Sequence, residues 1–474
     1  MDCDDRRSTV GALSIDLRTR SVVYRGVSVE LTPTEFRILE LLSSHPEWVY
    51  TSAEIADACL DCGGSTDSII VHISNLRAKL ARAAGGPSPI ETARGFGYRL
   101  SRSSAKSLST AQFTDSAEAL GDNLRANGRF SEAAAAYQQA LDSIDADDRL
   151  TLASLHLKAA EVAVERQLPM EAMSYNLDAE TILRATDITG HEEQFDDVLV
   201  QRAWIRCHAG DLQDAYDDCT DLLRRLDGSG TAKQRIRLHG CMVMSLLAMH
   251  RFVVTPETLG HAEQTYDAWA DSGDLEEAVF PEWLLGTTLL WSGNITGGEQ
   301  RLAEALRLSE ELGERSLVPL ILVSLGVAAR RRGDARLAEK IGMRLLSETD
   351  ERERLPGHAG AAHGLLCWAT WRDGDVDKAA EEGQAALEGE ELIPMFPFWW
   401  LALAPLVAIA LRPSHLGDAV GYARYMLDPS QQLLPPELSK ALATACSAWD
   451  ASDDSRALGA LEQAVRAGRA EGYT

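Results

Sequence analysis

Residues 31–100 carry the pattern that most constrains the fold of this 474-residue chain. The segment LTPTEFRILELL begins with Thr32 and has Glu35 three residues later, which is the spacing of a capping box at a helix N-terminus. Thr51 and Glu54 repeat that spacing at the start of the next amphipathic segment. The pattern therefore predicts two capped helices joined by a short loop.

A third helix and a β-hairpin are predicted after the first two helices. The third helix is expected to begin at Ser65 or Thr66. Its apolar positions recur at helical spacing, at Ile69, Ile73, Leu76 and Leu80. Two β-prone runs then flank Arg94–Gly97, where the glycines permit a tight reversal. Three helices followed by a hairpin, or wing, make a DNA-reading arrangement because the last helix fits the major groove.

Three β-rich runs precede the first helix, at residues 13–17, 21–24 and 27–31. The segments LTPTEFRILELL, HPEWVYT, VHISNLRAKL and RGFGYRL follow these runs in a fixed order. That order and spacing resemble the OmpR/PhoB-type winged-helix domain over about residues 10–101. The resemblance implies an N-terminal sheet, a recognition helix, a wing and binding to duplex DNA.

The resemblance also implies roles for matching positions in this sequence. The third helix would be the recognition helix, and the wing would meet the DNA backbone and minor groove. The implied DNA-binding residues are Ser68, His72, Asn75 and Arg77 in the helix, and Thr92 and Arg94 in the wing. The loop Asp61–Ser65 matches a turn that often contacts RNA polymerase.

The recognition helix departs from the family pattern at several positions. Asp67 stands where a basic residue is usual, Ile70 where an acidic one is usual, and Ser74 where basic residues are common. Asn75 also stands at an often basic position, although its amide can still read adenine with two hydrogen bonds. Either the target sequence is unusual, or the domain binds weakly and needs dimers.

From residue 113 the sequence repeats a helical pattern, after a polar, serine-rich linker predicted at residues 102–112. The clearest unit is LGDNLRANGRFSEAAAAYQQAL, which resembles a tetratricopeptide repeat in the placing of its small and aromatic residues. Ala133 anchors this unit. Matching alanines, mostly 38 to 43 residues apart, occur at Ala172, Ala215, Ala262, Ala305, Ala338, Ala379, Ala419 and Ala457. The resemblance implies about nine helix pairs over residues 113–474, stacked into a superhelix with a concave groove.

The predicted fold class is therefore mainly α. A winged helix-turn-helix domain of mixed α and β structure occupies residues 1–101, and an α-solenoid of tetratricopeptide-like helix pairs follows it. The groove of such a solenoid is expected to bind a protein, a peptide or a small-molecule effector, or to mediate homodimerisation. Aromatic residues at Pro394–Trp400 either fill gaps between repeats or mark a ligand or dimer surface.

The net charge of −26 is distributed unevenly along the chain. Residues 1–104 contain 12 basic and 13 acidic residues, so the repeat array carries almost all of the negative charge. An acidic array is not expected to hold a polyanion by itself. The neutral N-terminal segment predicts weak non-specific affinity for DNA.

No sequence motif indicates catalysis. The chain lacks GxxxxGK[ST], GxSxG, HExxH and EF-hand patterns, so we expect no enzymatic activity, no cofactor and no metal. No receiver domain precedes the winged helix, so regulation is expected to be independent of a phosphorelay.

Cys59 and Cys62 form a lone CxxC, interpreted as ordinary reduced cysteines or as a redox or metal sensor. The sequence shows no signal peptide or membrane span, which predicts a cytoplasmic protein.

Two functions are compatible with this organisation. The first is a sequence-specific DNA-binding transcriptional regulator whose repeat array senses a partner or ligand. The second is a repeat scaffold or adaptor whose winged helix serves protein docking instead of DNA reading. Arg77, Thr92 and Arg94 favour the first function, while Asp67 and the neutral charge favour the second.

Overall fold

The structure, a computed structural model, divides the chain into two compact units, Met1–Gln112 and Phe113–Thr474. In the first unit it describes residues 7–10, 13–16, 20–24, 27–29, 31–44, 48–59, 88–93 and 97–100, with individual residues between 69 and 80. In the array it describes residues 110–145, 147–185, 192–226, 230–350, 356–388 and 398–474. The two units are described separately.

The first unit opens with a four-stranded antiparallel sheet in the order β1-β2-β3-β4. The strands are β1 (Arg7–Val10), β2 (Leu13–Asp16), β3 (Ser21–Tyr24) and β4 (Val27–Val29). The prediction of three strands missed β1, because the short run RSTV has no alternation of apolar residues. Strand β1 is recruited by pairing with β2, with Arg7 opposite Asp16 and Val10 opposite Leu13.

Helices α1 (Pro33–Ser44) and α2 (Ser52–Cys59) have the predicted capping boxes. The backbone N–H of Thr32 donates to Glu35 Oε2 at 2.8 Å, and that of Thr51 donates to Glu54 Oε2 at the same distance. A third helix follows, labelled α3, whose described residues lie between 69 and 80. The predicted apolar stripe of α3 is confirmed, because Ile69, Ile73, Leu76 and Leu80 are all buried.

The wing is an antiparallel hairpin of β5 (Ile90–Ala93) and β6 (Gly97–Leu100). Tyr50 and Tyr98 exchange two backbone hydrogen bonds of 2.8 Å, which fix the wing against the chain before α2. Gly97 has a φ of +138°, and a Cβ built there would lie 2.0 Å from the carbonyl oxygen of Tyr50. Gly97 is therefore required where the two backbones meet as well as for the reversal that the sequence suggested.

In the described part of the second unit, eighteen helices form nine consecutive pairs. The first five pairs are α4 (Thr110–Ala126) with α5 (Phe130–Ser143), α6 (Arg149–Glu165) with α7 (Pro169–Arg184), α8 (Glu192–Ala209) with α9 (Leu212–Leu226), α10 (Ala232–Met249) with α11 (Pro256–Ser272), and α12 (Val279–Trp291) with α13 (Ile295–Leu312). The last four are α14 (Val318–Arg331) with α15 (Ala335–Asp350), α16 (Pro356–Asp373) with α17 (Val376–Leu387), α18 (Trp400–Ile409) with α19 (Leu416–Met426), and α20 (Pro436–Asp450) with α21 (Asp454–Ala470). Helix α4 begins within the stretch interpreted as a linker.

Small side chains set the spacing of the nine pairs. All nine anchor alanines named from the sequence, from Ala133 to Ala457, have no exposed surface. Gly121 is equally close-packed, because a Cβ there would lie 2.6 Å from the ring of Tyr137. Larger side chains at these positions would separate the two helices of a pair, so the repeat pattern in the sequence is a pattern of close helix crossings.

Backbone contacts also join helix pairs that are far apart in the chain. The N–H of Arg315, after α13, donates to the carbonyl of Ala126 at the end of α4 at 2.8 Å. Arg251, between α10 and α11, donates from Nε to the carbonyl of Gln431 at 2.7 Å and from Nη2 to that of Asp428 at 3.0 Å. Contacts across such long sequence separations join distant helix pairs of the array into one body.

The Arg251 contact coincides with unfavourable backbone geometry. Arg251 and Phe252 have φ values of +51° and +63°, whereas several other pairs place glycine at the turn between their helices, for example Gly293 and Gly333. A non-glycine residue in this conformation costs about 1–2 kcal/mol. The hydrogen bonds between Arg251 and residues 428–433 offset that cost.

We expect Arg251→Ala to lower the free energy of unfolding of the array by about 1–2 kcal/mol, because two carbonyls lose their donor while the backbone strain remains. Urea unfolding measures this change, and amide hydrogen exchange at residues 428–433 is expected to accelerate. Arg466→Ala is the control, since Arg466 is exposed and its ion pair with Glu462 is long, at 4.0 Å. Equal effects from both substitutions would contradict the structural role of Arg251.

Candidate functional site

The buried stripe of α3 determines which side chains of this helix face away from the domain. His72 and Asn75 lie three residues apart, so they are neighbours on the helix surface. His72 is half-buried and Asn75 is exposed, on the side away from Ile73 and Leu76. Among the described residues of α3, the exposed amide of Asn75 is the group best placed to read a base edge.

Lys79 lies on the same side of α3 as Asn75 but is held within the domain. Its Nζ contacts Oε2 of Glu35 at 2.7 Å, and the Glu35 side chain is 3% exposed. Burial opposes ionisation of Glu35, but hydrogen bonds from Lys79 and Thr32 outweigh it and hold the pKa below its ordinary value. This ion pair joins the N-terminus of α1 to α3 and fixes the position of the helix.

Arg77 lies on the opposite flank of α3 and faces the wing. Its Nε donates to the carbonyl of Ile90 at 3.1 Å, and its guanidinium lies 5.6 Å from the ring centroid of Tyr98. The structure thus gives Arg77 a role in docking the wing onto α3. A contact between Arg77 and DNA stays a prediction from the resemblance.

The remaining predicted site residues are less fully described. Thr92 lies in β5, opposite Tyr98 in the hairpin. Ser68, Arg94 and the loop Asp61–Ser65 lie outside the described residues, so their contacts stay predictions. Cys59 is buried at the end of α2, and burial raises the pKa of its thiol, while Cys62 also lies outside the described residues.

The roles of Lys79 and Glu35 were missed from the sequence. Glu35 was interpreted only as the capping residue of α1, and Lys79 lies 44 positions away in the chain. Their pairing has no local signal, since it depends on how α1 and α3 cross.

Comparison with known proteins agrees with this geometry. Residues 26–100 match the family model described as "Transcriptional regulatory protein, C terminal". The first unit is an OmpR/PhoB-type winged-helix domain. The chain is 39% identical over 94 residues to the transcriptional regulatory protein CseB of Streptomyces avermitilis, which covers 19% of this chain and 38% of CseB. The matched part of this chain therefore spans well under half the length of CseB.

Two solved structures are also similar to parts of the chain. The DNA-binding domain of the response regulator AdeR, in complex with an intercistronic region, matches 20% of this chain and 98% of its own, with 28% identity and a TM-score of 0.19. The Cut9–Hcn1 hetero-tetramer of the APC/C matches 80% of this chain and 64% of its own, with 15% identity and a TM-score of 0.49.

The first helices of several array pairs share a network of charged side chains. Glu161 on α6 contacts Arg125 on α4 at 3.1 Å and also pairs with Arg237 on α10. Burial opposes ionisation of Glu161, but the two arginines hold its pKa at about 2. Burial raises the pKa of the neighbouring Glu165. This network links the first, second and fourth pairs through charges that offset one another.

The described part of the aromatic cluster predicted at 394–400 packs inside the array. Trp399 and Trp400 are buried, and the Trp400 ring lies 4.4 Å from that of Tyr473 and 4.8 Å from the guanidinium carbon of Arg330. Phe398 stacks on Trp291 at 5.5 Å. These contacts favour the interpretation that the cluster fills gaps between repeats.

Within the described residues, no helix is long and apolar enough to cross a bilayer.

We expect Lys79→Met to destabilise the winged-helix domain by about 1–3 kcal/mol, because buried Glu35 loses a charged partner. The pKa of Glu35 is lowered in the folded state, so its stabilisation is present above its ordinary pKa of 4.5 and is lost as pH falls through the lower folded value. Denaturation of the fragment 1–112 between pH 3 and pH 7 measures both effects. Glu35→Gln is expected to remove this component of the acid sensitivity, whereas Glu40→Gln on the exposed face of α1 retains it. An unchanged pH profile in Glu35→Gln would contradict the role of the pair.

Substitutions in the helix and the wing are expected to differ in their effect on DNA recognition. If the amide of Asn75 reads a base edge, as the resemblance implies, Asn75→Ala is expected to relax preference at one base pair by about 1–3 kcal/mol. Arg94→Ala is expected to weaken binding to all sequences and to reduce the salt slope by about one unit, as loss of a phosphate contact does. Binding measured across an operator library at several salt concentrations distinguishes them, with Asn127→Ala in the array as control. Identical sequence profiles for the two variants would disprove this division of roles.

Proposed function

We propose that this protein is a sequence-specific, DNA-binding transcriptional regulator, acting in the cytoplasm, whose repeat array binds an effector or mediates dimerisation. The main support is the winged-helix domain, in which α3 exposes Asn75 away from its buried stripe, with half-buried His72 on the flank. The relative CseB is named a transcriptional regulatory protein, which supports the same proposal. The proposed function includes no enzymatic activity.

Because of where its basic side chains lie, we expect the winged-helix domain to bind DNA weakly but selectively. Arg77 is engaged by the Ile90 carbonyl and Lys79 by Glu35, so neither is fully available to phosphates. Fewer phosphate contacts mean less non-specific affinity and a shallower dependence on salt. Such a domain gains from a second copy on an adjacent half-site, because linkage raises its effective concentration. Dimerisation through the array supplies that linkage in our proposal.

The array is the proposed regulatory unit. Its negative charge lies on the same chain as the DNA reader, and like charges near the duplex oppose binding over about 8–10 Å. A protein, peptide or small-molecule effector that engages the groove, or a homodimer, would change the distance between this charge and DNA. Contact with RNA polymerase through Asp61–Ser65 is a further proposal from the resemblance.

Selection of bound duplexes from genomic fragments by the purified full-length protein tests the proposed function. We expect enrichment of a short shared sequence, lost on mutation of its central bases. A folded protein that retains no duplex at low salt would overturn DNA reading and favour the alternative, a scaffold whose winged helix docks protein.

Comparison of the fragment 1–112 with full-length protein tests the influence of the array. We expect the full-length protein without effector to bind one operator more weakly than the fragment, with the difference shrinking as salt rises. Titration of the same labelled duplex at two salt concentrations measures this. Tighter binding by full-length protein at both concentrations would instead indicate an array that dimerises constitutively.

A further inference from the structure

Two histidines meet within the fourth helix pair, outside the DNA-reading domain. His239 lies on α10 and His261 on α11, and their Nδ1 atoms are 3.0 Å apart. Nδ1 of His261 is also 3.2 Å from Oε1 of Gln264. The two rings have centroids 5.2 Å apart and planes inclined by 26°. Nδ1 of His261 is therefore within hydrogen-bond distance of two atoms that can ligate metals.

Neither histidine belongs to the core of the array. Both are half-buried, so their rings retain contact with solvent. The neutral imidazole is the form of histidine that ligates metal ions.

The spacing of the donor atoms matches that of ligands around a metal. Ligand atoms about 2.0–2.1 Å from a metal lie about 3.0 Å apart at a right angle and about 3.4 Å apart at a tetrahedral angle. The observed 3.0 and 3.2 Å fall within this interval. An ion would replace the hydrogen bond between the two Nδ1 atoms and would require the imidazole rings to rotate so that both nitrogens face it.

We propose that His239 and His261 form a binding site for a divalent transition-metal ion of the Cu²⁺, Ni²⁺ or Zn²⁺ class. Imidazole nitrogen suits these ions, and affinity at such a site is expected to be highest for Cu²⁺. The amide oxygen of Gln264 and water complete the coordination. Among the described residues no group of three or more His, Cys, Asp or Glu is arranged to hold a metal, so this is a two-imidazole site with open positions.

Residues around the pair hold the imidazoles in position. The Tyr216 ring packs edge-on against His261 at 6.5 Å, and the Tyr216 hydroxyl donates to Glu257 at 2.5 Å. Glu257 adds negative charge near His261, whereas Arg235 adds positive charge near His239, so the local charges act in opposite directions on a bound cation. An ion on His239 and His261 cross-links α10 and α11, the two helices joined through the Arg251 turn. The site does not depend on the proposed DNA reading.

Titration of the metal-free full-length protein with Cu²⁺, followed by electron paramagnetic resonance, tests the proposal. We expect one saturable ion per chain, with hyperfine structure from two imidazole nitrogens. His239→Gln and His261→Gln are each expected to reduce affinity at least tenfold. His415→Ala is the control, because His415 is exposed in the eighth pair and its Nδ1 is 3.3 Å from Asp418.

A second measurement separates loss of the site from loss of the fold. With Ni²⁺ or Zn²⁺ present, the melting temperature of the wild-type array is expected to rise with ion concentration. The two histidine variants are expected to melt cooperatively and to show no rise, while His415→Ala responds as wild type. Absence of saturable binding, absence of nitrogen hyperfine structure, or equal binding by all three variants would overturn the proposal. If a histidine variant does not melt cooperatively, the electron paramagnetic resonance spectrum of the wild-type protein decides the test, through the number of imidazole nitrogens bound to Cu²⁺.

Discussion

Both units of this protein depend on one constraint, which is that the apolar side chains of the helices must be buried where the helices pack together. In α3 the stripe ending at Leu80 faces the core, so Asn75 is directed away from it. In the array the stripes centre on alanines with no exposed surface, so paired helices approach closely. The same constraint thus sets the face that is available to DNA and the spacing of the repeats. Burial of these stripes also supplies most of the free energy that orders the helices.

The electrostatics of the DNA-reading domain are mostly internal. Lys79 and Arg77 are the described cations of α3, and each is engaged by a group of the domain itself. Such contacts fix the helix and the wing in position and leave less positive charge available to phosphates. In the proposed function, selectivity would then depend more on the amide of Asn75 than on non-specific attraction. This balance differs from that of a strongly basic DNA-binding surface.

The array combines uniform repeats with a few contacts that break the uniformity. Non-glycine residues with positive φ also occur in the turns at Gln167 and Ser452, but the turn at Arg251 additionally reaches carbonyls almost two hundred positions away. Helices α10 and α11, on either side of that turn, also carry His239 and His261. The fourth pair therefore concentrates the features that repetition alone does not explain. A site there is well placed to influence how distant pairs are held together.

The sequence by itself determined the local features of this protein. The caps at Thr32 and Thr51, the stripe from Ile69 to Leu80 and the anchor alanines all follow from periodicities within one or two helices. Tertiary structure alone decided the pairing of Glu35 with Lys79, the docking of Arg77 on the wing and the approach of His239 to His261. Those contacts depend on how helices and strands cross, and crossing geometry is set by packing of many side chains together. No short stretch of sequence encodes it, which is why strand β1 and the Arg251 contact were also absent from the prediction.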